Sequence, residues 1–178
     1  MKHDNETSPK LITCLFNNSI NAGKAYNSAL KLGYTKDEIN VLMTEETKKK
    51  HNKGANAEDT PTDEAIKGAG VGGSLGVTTG VITGAIMAIG TLLVISGFGL
   101  IIAGPLAIGL AGASAGGIAG GLVGALINIG VPESHAKIYE DEIKNGSILV
   151  GLIPHSEADK KLLEAEWNNY EGILLTSK

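Results

Sequence analysis

With one cysteine, Cys14, the chain cannot form an internal disulfide, which fits a reducing compartment. Aromatic residues make up 4% of it, too few for a large aromatic binding platform. The net charge is -4 and the pI is near 5.6, which argues against the basic surface that phosphate binding requires. Nucleic acid is therefore not expected as a main partner. The N-terminal MKHDNETSPK contains no apolar run, so no secretory signal is expected there. The longest absence lies inside the chain: residues 68–132 hold no Asp, Glu, Lys, Arg or His.

What fills that uncharged stretch is glycine. Nineteen of the 25 glycines fall within it, and two runs recur at every fourth residue. One is Gly68, Gly72, Gly76, Gly80 and Gly84; the other is Gly112, Gly116, Gly120 and Gly124, thickened by Gly117 and Gly121. A four-residue period places each run along one helix face. Glycine costs roughly 1 kcal/mol relative to alanine within a helix. Close approach of a partner backbone is the usual compensation. The pattern predicts a glycine-zipper helical hairpin over 65–131, with breaks at Ser96–Gly99 and at Gly104–Pro105.

The rest divides into a tail at 1–9, a globular segment at 10–46, a polar linker at 47–64 and a second globular segment at 132–178. Leu11 to Phe16 is a short apolar run that predicts a buried strand. Asn17-Asn18-Ser19 supplies a turn and cap, and Ala22, Ala25, Tyr26, Ala29 and Leu30 follow at helical spacing up to Gly33. Thr35 to Glu38 is a capping-box pattern, and Ile39 to Met43 reads as a second strand. In the second segment, Pro132-Glu133-Ser134 opens a helix that ends at Asn145-Gly146. Ile148 to Ile153 is a strand, Ser156 caps a helix carrying Leu162, Leu163 and Trp167, and Ile173 to Leu175 closes the chain.

Each globular segment thus reads strand–helix–strand. Two such units build an α+β, ferredoxin-like split βαβ sandwich with its helices on one face, interrupted by the hydrophobic hairpin. Neither segment alone can bury a core, so the chain must close over its own insertion. Trp167 and Tyr170 are expected to cover the sheet edge or the base of the hairpin.

No constellation for catalysis stands out. GAGVGG at 68–73 imitates a phosphate-binding loop, but a polar linker stands where such a loop needs a strand, and the glycines continue for about sixty residues beyond it. His3, His51, His135 and His155 show no ligand spacing, so no metal site is expected. Cys14 has no neighbouring base or cation in sequence and reads as a buried, inert thiol. Asp141-Glu142 and Glu164/Glu166 sit with lysines on polar helix faces. Lys48, Lys49, Lys50 and Lys53 read as a solvated linker more readily than as a lipid or nucleic-acid patch. Neither an enzymatic activity nor a cofactor is expected.

The order of these parts resembles a bacterial general-stress and low-temperature-induced protein family. The resemblance rests on LITCLFNN at Leu11–Asn18, EINVLMT at Glu38–Thr44 and AGPLA at Ala103–Ala107. GVPESHA at Gly130–Ala136 and GSILV at Gly146–Val150 complete it, so that it covers roughly residues 10–176. It implies the interrupted α+β fold, a stress context and a membrane-like hairpin, and it supplies no catalytic residue.

The uncharged zone is long enough for two membrane spans at about 20 residues each. Both flanks would then lie on one side, the cytoplasmic face of the inner membrane, with both termini cytoplasmic. Packing of the same glycines between copies in a cytoplasmic, soluble homo-oligomer is the alternative, since so long an apolar surface is not tolerated on a lone monomer. The expected partners are therefore other copies of the chain and membrane lipid. A small-molecule-sensing role rests on analogy of fold alone.

Overall fold

A computed structural model describes residues 11–52, 92–95, 99–107, 121–128 and 131–174. The first strand, β1 (Ile12–Phe16), is buried at every position, with Thr13 its one polar hydroxyl. Asn18 ends it and starts α1 (Ser19–Lys31) by accepting the Asn21 N–H at 2.8 Å. Small residues on the inner face of α1, Ala22, Ala25 and Ala29, let the helix settle close to the sheet. Beyond it, Thr35 and Glu38 form the expected capping box around a 3-10 turn at Lys36–Glu38.

Strand β2 (Asn40–Thr44) runs directly into α2 (Glu45–Asn52). Here the expected linker at 47–64 needs correction, because its first residues are helical. Thr44 accepts the Thr47 N–H at 3.0 Å, Glu45 and Glu46 occupy the first turn, and Lys49 reaches back to Glu45 at 3.9 Å. The remainder of that linker lies outside the described residues.

The centre of the predicted helical hairpin also differs. Leu92–Ile95 and Leu100–Ala103 are strands β3 and β4, paired antiparallel through Val94↔Ile101. β4 then pairs with β2, with Val41 opposite Ala103. Runs of β-branched residues, Val94-Ile95 and Ile101-Ile102, prefer the pleated surface, and the edge of β2 supplies the partner that periodicity could not reveal. The break expected at Gly104–Pro105 is where a helical segment begins. Helix α3 (Gly121–Asn128) is the remaining described part of the zone. Among the described residues, no helix is long and apolar enough to cross a membrane.

The last part holds α4 (Glu133–Lys144), β5 (Ile148–Leu152), α5 (Glu157–Asn169) and the two-residue β6 (Ile173–Leu174). The six strands form one sheet in the order β3-β4-β2-β5-β1-β6, antiparallel at every pairing. β5 slots between β1 and β2, with Val150 opposite both Cys14 and Val41. The two globular segments therefore complete one sheet across the insertion.

Helices cover both faces of this sheet, not one as the sequence suggests. On the first face, Cys14, Phe16, Val41 and Val150 meet Ala25 and Tyr26 of α1 and Leu163 and Trp167 of α5. On the second, Leu15, Leu42, Leu149 and Ile102 meet Ala136, Tyr139 and Ile143 of α4 and Leu122 and Leu126 of α3. Strands buried at every position, such as β1 and β5, require a cover on each side.

Candidate functional site

Two polar constellations occur at one end of the sheet, where β2 begins and β4 and β5 end. The first anchors the insertion. Asn40 is buried, and its side chain donates to the Gly151 carbonyl at 3.2 Å and accepts the Leu106 N–H at 2.8 Å. One amide thus ties β2 to β5 and to the segment that leaves the sheet. Gly104 makes this possible with φ +96, and a Cβ there would overlap the Ile39 carbonyl oxygen.

The second links two loops far apart in sequence. His155, between β5 and α5, places Nε2 2.6 Å from Glu38 Oε1 on the 3-10 turn. The His155 ring stacks on Tyr34 with centroids 4.2 Å apart. Tyr34 accepts the His155 backbone N–H at 2.8 Å and donates to Asp159 at 3.1 Å. The other Glu38 oxygen accepts both the Thr35 N–H, at 2.8 Å, and the Thr35 hydroxyl, at 2.7 Å. The Thr35 backbone N–H first, then His155 and the Thr35 hydroxyl, hold the Glu38 carboxyl down to about 2. Burial above all, with the Asp159 and Glu38 charges, pushes the Tyr34 phenol upward.

Of the sequence-selected glycines, Gly68, Gly72, Gly76, Gly80, Gly84, Gly112, Gly116 and Gly120 lie outside the described residues. Gly124 lies on α3 between the buried Leu122 and Leu126, and a Cβ built there meets no described atom within 4 Å. No close backbone from the described part of its own chain accounts for that glycine. Ile127, on the same helix, is exposed.

The other candidates scatter. Cys14 is fully buried, and burial pushes its thiol up to about 12, which leaves it un-ionised. Glu142 accepts the Ser147 hydroxyl at 3.2 Å, a local structural contact. His135 buries Nδ1 without a hydrogen-bond partner among the described residues. No group of three or more His, Cys, Asp or Glu suited to a metal occurs among the described residues. Trp167 lies in the core instead of at an edge, donating to the Ala25 carbonyl and the Ser28 hydroxyl, each at 3.2 Å. Tyr170 packs partly buried against the same cluster.

Sequence reasoning misses both constellations. Glu38 is legible as half of a capping box, but its 2.6 Å contact with His155 closes a gap of 117 residues that no local spacing encodes. Asn40 reads as an ordinary strand residue until Gly104 and Gly151 come beside it. Comparison of the chain with protein-family models, with curated proteins and with solved structures finds no match.

Proposed function

We propose that this is a non-enzymatic, self-assembling protein in which a ferredoxin-like α+β frame presents the glycine-rich insertion for packing between copies. The strand order β2-β5-β1-β6 with α1 and α5 as crossovers is what supports the ferredoxin-like reading of the frame. The observation that carries self-assembly is Gly124. It continues a four-residue ladder of glycines in an uncharged stretch, and its own described chain leaves it without a close neighbour. The stress context comes from the resemblance to the general-stress family.

The middle of the insertion argues for protein, rather than bilayer, around the glycines. β3 and β4 join the frame's own sheet, so Leu92–Ile95 and Leu100–Ala103, at the centre of the expected hairpin, pair with protein. Lipid contact at the surface is the second reading. It is favoured by the length of the uncharged stretch at 68–132 and by the exposed Lys49 and Lys50 of α2, which precede it in the chain.

Fractionation without detergent, followed by light scattering of the soluble part, tests the proposal. A large soluble particle is expected. Gly124→Leu is expected to reduce its size while leaving the frame's circular dichroism unchanged, since no described atom crowds the site. Recovery in the pellet, released only by detergent, would replace the protein surround with lipid. A soluble monomer would overturn both readings.

A further inference from the structure

The two ends of the sheet differ. At one end β6 is two residues long and leaves little open edge to pair. At the other, β3 (Leu92–Ile95) runs in unbroken register with β4 from Leu92↔Ala103 to Ile95↔Leu100. On an edge strand every second residue turns its N–H and C=O away from the paired neighbour. Among the described residues no strand takes up those groups of β3. The devices that usually blunt such an edge, a charge, a proline or a bulge, are absent from Leu92–Ile95. Val94 shows the consequence. It lies opposite Ile101, and so on the face that Ile101 shares with Val41 and Val150. Ile101 is 3% exposed, whereas Val94 is 44% exposed. α1 and α5, which cover that face, pack against β1, β5 and β6 at the far end of the sheet.

We propose that the outer edge of β3 pairs with β3 of a second copy of this chain, antiparallel about a two-fold axis, so that one sheet runs through both copies. The open backbone groups call for an extended strand as partner. The aliphatic side chains of Leu92–Ile95 call for a strand that is apolar and uncharged, and β3 itself is both. Electrostatics favours the same occupant. The chain carries a net charge of -4, yet every charged side chain lies outside 68–132. Identical copies therefore repel one another least where they meet through that stretch. A two-fold axis perpendicular to the sheet keeps like faces level and sets one residue opposite its own counterpart. With Val94 at that centre, the two Cβ atoms lie about 4.5–5.5 Å apart, and each valine covers the other. Four residues bury too little surface to hold two copies unaided. The pairing thus acts together with packing of the glycine-rich insertion, and to that extent rests on the self-assembly reading above.

Cysteine cross-linking of the full chain tests the pairing, because the native Cys14 is fully buried and does not compete. Val94→Cys is compared with Ile173→Cys, an exposed position on the opposite edge strand. Under mild oxidation Val94→Cys is expected to form a disulfide-linked dimer at least roughly tenfold faster, since pairing raises the effective concentration of the two thiols. Equal rates at the two edges, or no dimer from Val94→Cys, overturn the proposal, whether the β3 edge is open or taken by another segment. Val94→Lys sets two like charges opposite each other and is expected to reduce particle size in light scattering, with circular dichroism unchanged. Gly124→Leu separates the edge from the glycine ladder. A particle that shrinks with Gly124→Leu, while Val94→Cys fails to cross-link, keeps self-assembly and sinks the β3 pairing. A dimer that cross-links through Val94→Cys and is indifferent to Gly124→Leu keeps the β3 pairing and sinks the glycine reading.

Discussion

The two faces of the sheet are covered by helices of different kinds. α1 and α5 each start at a polar cap, Asn18 and Ser156, and pack aromatic bulk against β1, with Phe16 edge-on to Trp167 at 6.5 Å. α3 and α4 lie across the opposite face, where α3 belongs to the glycine-rich zone and α4 follows Pro132 with no side-chain cap. Tyr139 is its largest residue, and its hydroxyl hydrogen-bonds the Thr13 hydroxyl within the core. One face is thus closed by the frame's own repeated units. The other cannot be completed without the end of the insertion. Folding of the frame and placement of the insertion are coupled through that second face.

The sharpest test of this division is Trp167→Ala. It removes a fully buried ring and its two hydrogen bonds, so the first face should lose about 3–5 kcal/mol by denaturant unfolding. Gly104→Ala strikes the junction between frame and insertion. The left-handed backbone and the overlap with the Ile39 carbonyl lead us to expect a loss of about 2–3 kcal/mol in the same measurement. Tyr139→Phe leaves the buried Thr13 hydroxyl without this partner on the second face, at an expected cost of about 1–2 kcal/mol. If Tyr139→Phe proved as damaging as Trp167→Ala, the two faces would carry equal weight and the distinction would dissolve.

The smallest effect concerns pH. The Glu38 carboxyl is held at about 2, below its ordinary value of 4.5, so its contribution is complete above that value. It is lost as pH falls from about 4.5 toward about 2. Thermal melts across that window should converge for wild type and Glu38→Gln at the acid end and separate slightly above it. Curves that stayed parallel throughout would remove Glu38 from the account of acid sensitivity.

How much of this was legible in advance follows from the range of the interactions. The strands at Ile12–Phe16, Asn40–Thr44, Ile148–Leu152 and Ile173–Leu174, with α1, α4 and α5, were readable to within a residue or two. They are governed by caps and periodicity within a few positions. The stretch around Leu92–Ala103 misled, because four-residue glycine spacing on either side suggested one continuous helical element. Its β-branched runs pointed the other way, but their pairing partner, β2, lies about fifty positions upstream.

By itself the sequence determined the capped helices, the apolar strands and the division into charged frame and uncharged insertion, since each depends on neighbours along the chain. Only the tertiary structure decided that β5 separates β1 from β2 and that the insertion's centre extends the sheet. It alone placed α3 and α4 on a second face and brought His155 to Glu38. Those outcomes depend on which unpaired backbone edge and which uncovered apolar face meet, a matching of surfaces that exists only once the elements have formed.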